Sequence, residues 1–467
     1  MSRLWQNRGN SPVRTSKRFP SSVQETPKLT PYVARRTMIT FGIGIDFGTT
    51  NSSVARATKS GEVELAQFPH AAGLTDSYRS LLYLEEIRER NARAVKSWSG
   101  PEGIERYLAA EIKGRLIQSL KSFLSSRSLR STDVFGRMRT MEDLVGRIVR
   151  DLREKAERQF GVDIRSAVVG RPVTFVGAEN EADNTWAQGR LEQAFLAAGF
   201  ESVHFEMEPV AAAHHYESTL DHDELILIGD FGGGTSDFSV VRVGPGVRRR
   251  GRQPADLLGN AGVGLAGDAF DARIVQHIVS PALGAGTQMR SVDKLLPVPN
   301  WVYAKLERWH HLSILRTNDV MNMLKSVQAQ ALEPDRIAAL QHLIREDLGF
   351  HLHRAVQRAK CELSDRPGTM FRFSDGVADL EAHIKREVFE TWIAGELQQI
   401  AACVDSLLLS SGTQATEIDM VFLTGGSSFV PSVRRIFEAR FGKDRIRAGN
   451  EFTSVARGLA LQAAERA

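Results

Sequence analysis

An α/β protein built as two related lobes is what this sequence predicts, and three observations predict it. Short apolar strand patterns alternate with amphipathic helices along most of the chain. One glycine-turn phrase occurs twice, 184 residues apart: Gly44-Ile45-Asp46-Phe47-Gly48-Thr49-Thr50-Asn51 and Gly229-Asp230-Phe231-Gly232-Gly233-Gly234-Thr235-Ser236-Asp237. At 467 residues the chain is long enough for two or more lobes with substantial cores. Each phrase follows an apolar strand and leads into an alternating one, so each reads as strand, tight turn, strand. A Walker-type loop would instead run into a helix and carry Gly-Lys-Ser/Thr. A single such turn is an ordinary hairpin. Two facing copies would surround a phosphate chain with backbone N–H groups and two carboxylates.

The elements follow in order. Residues 41–47 and 53–57 make the first hairpin, and 79–84 read as another strand. Residues 104–124 have helical spacing, with apolar side chains at 104, 108, 112, 116, 120 and 124. A second amphipathic helix covers 144–160 and is stopped by Gly161. Strands at 166–170 and 203–207 flank a helix from 184 to 198 that Gly199 closes, and a further helix starts at 210–216. The second half repeats the plan, with an apolar strand at 225–228 entering the second glycine turn. Residues 242–252 read as a loop with an arginine cluster, either a solvated hairpin tip or a contact for an acidic partner. Residues 280–335 lack clear periodicity and read as an insertion. Residues 337–363 give the strongest helix, 420–424 a buried strand, and 433–441 and 455–464 the last helices.

Composition narrows the class. Apolar content of 42% and charged content of 25% are those of an ordinary soluble globular protein. No stretch approaches the roughly 20 apolar residues of a membrane span, so no membrane partner is expected. Cys361 and Cys403 make neither a disulfide framework nor a CxxC metal motif, which fits a reducing cytoplasm. The formal charge of +4 is carried by residues 1–37, which hold eight Lys/Arg and only Glu25 as acid. The remainder has 52 basic and 55 acidic residues, so its charge gives no reason to expect nucleic-acid binding. The basic stretch is open to three readings: a transit peptide, a disordered leader, or an overextended start with the true one at Met38.

The chemistry sits at the turns. Asp46 and Asp230 end their strands just before the glycines, and two opposed carboxylates suit a hydrated Mg²⁺ between phosphates. Gly48, Gly232, Gly233 and Gly234 let backbone approach phosphate closely. Thr49, Thr50 and Thr235 add hydroxyl donors.

Residues 43–52 and 230–237 resemble the two phosphate motifs of the actin, heat-shock-70 and sugar-kinase superfamily, specifically its DnaK-like chaperones. Leu423-Thr424-Gly425-Gly426-Ser427-Ser428 with Pro431 resembles that family's adenosine motif, and Glu208-Pro209-Val210-Ala211-Ala212-Ala213 its connecting motif. Gly267-Asp268-Ala269-Phe270-Asp271 resembles a Gly-Gly-x-x-Phe-Asp motif, and Arg358-Ala359-Lys360 with Ser364 the adenosine-contacting helix. The matches run in the family's order from residue 43 to about 460.

The resemblance implies a two-lobed actin-like ATPase fold of duplicated ribonuclease-H-like domains with a central nucleotide cleft. It implies ATP and ADP as ligands, Mg²⁺ at Asp46 and Asp230, and K⁺ as a further candidate ion. Asp46, Asp230 and Asp237 would hold Mg²⁺, water or monovalent cations. Glu208 would accept from or orient the attacking water, and Thr235 would sit near the γ-phosphate. Gly267, Gly425, Gly426 and Ser427 would line the nucleotide, and Lys360 and Ser364 would reach the ribose and adenine. Cys361 and Phe429 stand where the family has arginines packing on adenine, and Phe429 would replace one by stacking. For the family's phosphate-contacting lysine, Lys96 lies in a plausible region.

The resemblance divides the chain into a leader at 1–37, a first lobe at 38–224 and a second lobe at 225–449. Residues 450–467 are a helix returning to the first lobe. The family's interdomain linker and peptide-binding domain have no counterpart in this sequence, as in the short DnaK-like proteins of the bacterial YegD type, which the Gln118–Leu124 segment also resembles. The expected function is a chaperone-like protein that binds ATP and hydrolyses it slowly, with protein clients or co-chaperones as partners. An actin-like filament protein and a small-molecule kinase of the same superfamily are the alternatives.

Overall fold

Two sheets with the same strand plan organise the molecule. The computed structural model describes residues 41–466 except 71–72, 90–91, 111–113, 218–219, 252, 308–311 and 449–453, all within the unit Thr40–Ala467. The expected leader at 1–37 lies outside the described residues.

In the first sheet the antiparallel hairpin Phe41–Phe47 and Asn51–Thr58 is flanked by Ser166–Arg171 and then Ser202–Met207 on its parallel side, and by Val63–Leu65 beyond its other strand. In the second sheet the hairpin Glu224–Phe231 and Ser236–Val243 is flanked by Met420–Thr424 and Ile446–Ala448 on its parallel side, and by Leu257–Val263 on the other. Each hairpin therefore enters its glycine turn at the same place in its sheet. Asp46 pairs with Ser53 and Asp230 with Asp237.

The lobes have separate apolar cores. One gathers Ile45, Val54, Leu144, Ile148, Val169 and Phe195. The other gathers Phe231, Phe270, Leu340, Val356, Phe389 and Phe437. The helix Met141–Phe160 that roofs the first core is capped by Thr140, whose side chain accepts from Asp143 N, and ends at Gly161 with φ of 65°. That is local capping chemistry of the expected kind.

The helix Ser454–Arg466 packs on the first hairpin and on Glu208–Glu217 at the base of the cleft, backbone against backbone. A Cβ on Gly42 would lie 2.0 Å from Ala464 N, one on Gly44 2.2 Å from Ala460 N, and one on Gly458 1.7 Å from Ala211 O. No side chain larger than hydrogen fits there without moving main chain.

Three sequence expectations are corrected. The helix expected over 104–124 is a helix only at Gly100–Ala109; Arg115–Gln118 is a strand on Leu81–Glu89 and Leu120–Phe123 a short 3₁₀ turn. A spacing of four residues drifts about 40° per step from the helical period and equally satisfies a strand's alternation. Gly114 decides the matter, since a Cβ there would meet Leu84 O at 2.1 Å. The helix expected over 337–363 is two, Pro334–Arg345 and Gly349–Asp365. Asp347 breaks them at φ of 52°. The loop at 242–252 contains the helix Pro245–Arg250, whose Arg250 grips Asp256 with both guanidinium arms.

Residues 280–335 carry the hairpin Gln288–Ser291 and Lys294–Pro297 and the helix Asn318–Gln330. Leu283, Val302, Leu324 and Val327 of this stretch join the second core. No described helix is long and apolar enough to cross a membrane, and both cysteines are free.

Candidate functional site

The two hairpin turns approach one another across the gap between the sheets. A Cβ on Gly233 would come within 2.5 Å of Thr50 Oγ1, and one on Gly234 within 3.4 Å of Thr49 Oγ1. A cleft of about 550 Å³ opens beside them, a size that suits a small organic ligand.

Asp46, Gly48, Thr49 and Thr50 line the cleft from the first hairpin, and Asp230, Gly232, Gly233 and Thr235 from the second. Glu208, Gly267, Lys360 and Ser364 line it as well, with Gly425, Gly426, Ser427 and Phe429 from the turn after Met420–Thr424. Two expected site residues stand apart. Gly234 lines a smaller neighbouring cavity of about 220 Å³. Asp237 is buried beneath the second turn, where Oδ1 accepts from Val173 N at 2.7 Å and Thr174 N at 3.3 Å.

Glu208 begins the helix Glu208–Glu217 and is buried, so its carboxylate needs a partner. Lys121 supplies it, its Nζ donating to Glu208 Oε1 at 2.6 Å. Lys121 lines the cleft beside this carboxylate, and Lys96 does not line it. Lys96 pairs in register with Glu85 on the strand Ala92–Ser99, away from the lining residues. The sequence hid Lys121 inside the apparent helical repeat of 104–124. Its signal was a lysine flanked by Leu120 and Phe123, in a segment otherwise built to be buried. Asp268 of the Gly267–Asp271 motif lines the cleft too, as do Arg79, Gln357 and Val455, which were not foreseen.

The electrostatics are those of a desolvated acidic floor facing the buried Lys121. Burial, then the nearby Glu208, pushes Asp46 well above the carboxylate range. The same two causes raise Asp230 to about 6, against the hydrogen bond that Thr424 Oγ1 donates to Asp230 Oδ1 at 2.6 Å. Burial and Glu208 raise Asp237 to about 8, and its Oδ2 has no partner among the described residues. Burial pulls Lys121 down, but Glu208 and Asp46 together hold it above its ordinary value.

On the opposite wall Lys360 Nζ donates to Gly267 O at 3.0 Å and lies 2.9 Å from Asp271 Oδ1. Ser364 Oγ donates to Lys360 O at 3.2 Å within its own helix. Gly425 has φ of 83°, and a Cβ there would strike Phe231 O at 2.1 Å, so this turn requires glycine. Phe429 beyond it is 49% exposed and borders the cleft. Cys361 is exposed on the same wall, and burial of its sulfur raises its thiol.

The donor set fits a hydrated divalent ion with phosphate. Carboxylates held short of solvent favour a cation, and Asp237 Oδ2 is an orphaned buried acceptor. Among the described residues no three His, Cys, Asp or Glu side chains form a metal cage. Mg²⁺ keeps its waters and takes one or two carboxylates plus phosphate.

Duplicated hairpins in twin sheets around a central cleft define the actin-like ATPase fold. A protein-family model described as "Hsp70 protein" matches residues 111–290 and 345–465, more than half the chain. The chain belongs to the Hsp70 family. It is 25% identical over 429 residues to "Chaperone protein DnaK" of Thermosipho africanus, covering 90% of this chain and 58% of that one. It is 26% identical over 439 residues to "Chaperone protein DnaK" of Thermus thermophilus, covering 90% and 60%. The chain thus spans about three fifths of the length of these curated relatives.

Proposed function

We propose that the cleft binds adenine nucleotide with Mg²⁺ and slowly hydrolyses ATP to ADP and phosphate, coupling the nucleotide state to lobe closure in a chaperone-like protein. The observation that carries this is the convergence of both glycine turns, Asp46, Asp230, Glu208 and Lys121 on one cleft. Backbone N–H groups of Gly232 and Gly233, with the hydroxyls of Thr49, Thr50 and Thr235, cradle phosphate oxygens. Asp46 and Asp230 would hold Mg²⁺, which would supply charge neutralisation at the phosphates. Asp237 Oδ2 suits a monovalent ion such as K⁺.

Hydrolysis forms a bond from water oxygen to the γ-phosphorus and breaks the bond from that phosphorus to the bridging oxygen. Glu208 orients the water and takes up its proton. Lys121 stabilises the negative charge that the phosphoryl oxygens carry. Lys360, Ser364 and Phe429 flank ribose and base. Placement in the YegD-type subgroup, a reducing cytoplasm, and protein clients or co-chaperones as partners complete the proposal, supported by the resemblance of motifs and by the two free cysteines.

Nucleotide affinity by calorimetry together with single-turnover ATP hydrolysis tests the reading. Micromolar or tighter Mg-ATP binding with measurable phosphate release supports it. Binding without any turnover replaces the enzyme with a nucleotide-sensing one. No binding overturns the proposal.

A further inference from the structure

Lys121 reaches the cleft from a segment with no sheet ladder of its own. The strand Arg115–Gln118 ends at Ser119, which turns left-handed at φ of 54°, and the 3₁₀ turn Leu120–Phe123 follows. No strand or helix then intervenes before Ser131–Val134. Such a stretch leaves main-chain carbonyls without regular partners, and buried carbonyls need donors.

One side chain gathers them. Arg190, on the helix Glu181–Ala197, is 4% exposed. Its Nη1 donates to Leu124 O at 3.1 Å, Ser126 O at 3.2 Å and Phe123 O at 3.3 Å, and its Nη2 to Leu129 O at 3.5 Å. Its Nε donates to Glu142 Oε1 at 2.5 Å, in the first turn of the helix Met141–Phe160. Burial raises Glu142, but the bond from Arg190 outweighs it and holds the carboxyl below its ordinary value. The guanidinium also lies 5.9 Å from the centre of the Trp186 ring, one turn earlier, within cation–π range.

Three separate pieces of chain thus meet on one planar group. A guanidinium offers five N–H donors in a fixed plane, so the carbonyls it holds are fixed relative to one another. Phe123 and Leu124, two of its acceptors, close the 3₁₀ turn that carries Lys121. Leu124 N in turn donates to Lys121 O at 3.3 Å. From that turn the Lys121 ammonium reaches Glu208. Arg190 itself does not line the cleft.

We propose that Arg190 is a positioning residue: by gripping the carbonyls that follow Lys121, it holds the Lys121 ammonium on the cleft floor. The consequence for hydrolysis rests on the nucleotide-cleft reading above, to which this adds a residue outside the cleft. Misplacing a reacting group by about 1 Å from a distance can cost about 10²-fold in rate. Lysine in place of Arg190 keeps a charge for Glu142 but presents a point charge, not a planar fork.

Two measurements on the full chain test this. The first needs no nucleotide: acetylation of native protein by N-hydroxysuccinimide acetate, followed at each lysine by mass spectrometry. Lys121 should label about tenfold faster in Arg190→Lys, the scale of one or two lost hydrogen bonds. Lys155, ion-paired with Asp151 on the same lobe, should keep its rate. The second is single-turnover ATP hydrolysis in a double-mutant cycle. Arg190→Lys should slow it about tenfold when Lys121 is present and no further in the Lys121→Ala background. Should Arg190→Lys unfold by circular dichroism, Glu142→Gln loosens the guanidinium more gently, and both effects should appear at about threefold. Unchanged Lys121 labelling in a folded variant overturns the inference. So do effects that simply multiply in the cycle, or labelling that rises equally at Lys155, since either makes Arg190 a general stabiliser. Wild-type protein without turnover overturns the functional reading, while the labelling still decides whether Arg190 places Lys121.

Discussion

The base and the mouth of the cleft join the same two lobes by opposite means. At the base, Val168 and the small residues Ala211–Ala213 pack on Ile226, Ile228, Val241 and Phe422 of the second lobe, and the terminal helix is pressed main chain against main chain onto the first-lobe side of this junction at Gly42, Gly44 and Gly458. At the outer end, large aromatic side chains meet edge to face and a single phenylalanine, Phe350, crosses from the second lobe. Backbone contact has one geometry and no rotamers to relax into, whereas aromatic contact can be broken and remade by a modest rotation. The two junctions are thereby built from the two extremes of side-chain size.

The largest expected effect is at the base. Gly458→Ala puts a methyl where a carbonyl oxygen already stands, and should cost about 3 kcal/mol or more in chemical denaturation. A loss under about 1 kcal/mol would show that the base is compliant and the contrast with the mouth false. Next comes the cleft floor between the two junctions. Glu208→Ala should slow single-turnover hydrolysis about 10²-fold with nucleotide affinity nearly intact, and wild-type turnover would remove Glu208 from the chemistry.

Acidity offers a third probe. The folded Asp230 and Asp237 have pKa values raised to about 6 and about 8 from an ordinary 3.8. The folded state therefore takes up protons more readily than the unfolded one. The stability these groups contribute is fully present below about pH 4 and is lost as pH rises through about 6 and then about 8. Nucleotide-free protein should lose stability across that window, and Asp237→Asn should flatten its upper half. Mg²⁺ with ADP should stabilise more at pH 8 than at pH 6, because the cation then competes with fewer protons. Denaturant midpoints at several pH values measure this, and a flat profile would mean the floor is wetter than its burial indicates. The smallest effect is on the exposed wall. Phe429→Ala should weaken ATP binding by about 0.5–1.5 kcal/mol, and unchanged affinity in calorimetry would remove Phe429 from the base-binding wall.

The twin hairpins were legible in the sequence because their chemistry is local. An aspartate, a glycine turn and a β-alternating strand on each side suffice to write strand–turn–strand. The strand Met420–Thr424 was legible for the same reason, an apolar run bounded by two glycines. The mouth was not. Arg115–Gln118 becomes a strand only because Leu81–Leu84 lies beside it, and Lys121 enters the cleft only because Ser119 turns left-handed at φ of 54°. The break at Asp347 carries no proline, and the apolar spacing of residues 337–363 runs through it unchanged. Partners far away in sequence set all three features, which a periodicity read along one segment does not contain.

Cys361 gives the protein a reporter that needs no engineering. Cys361 is an exposed residue on the cleft wall, one residue beyond Lys360, with its sulfur partly sheltered, while Cys403 is half-buried. Alkylation of Cys361 should proceed at one rate in the empty cleft and at a slower one when a base covers the wall. Following that rate by mass spectrometry would read nucleotide occupancy directly from the unlabelled chain.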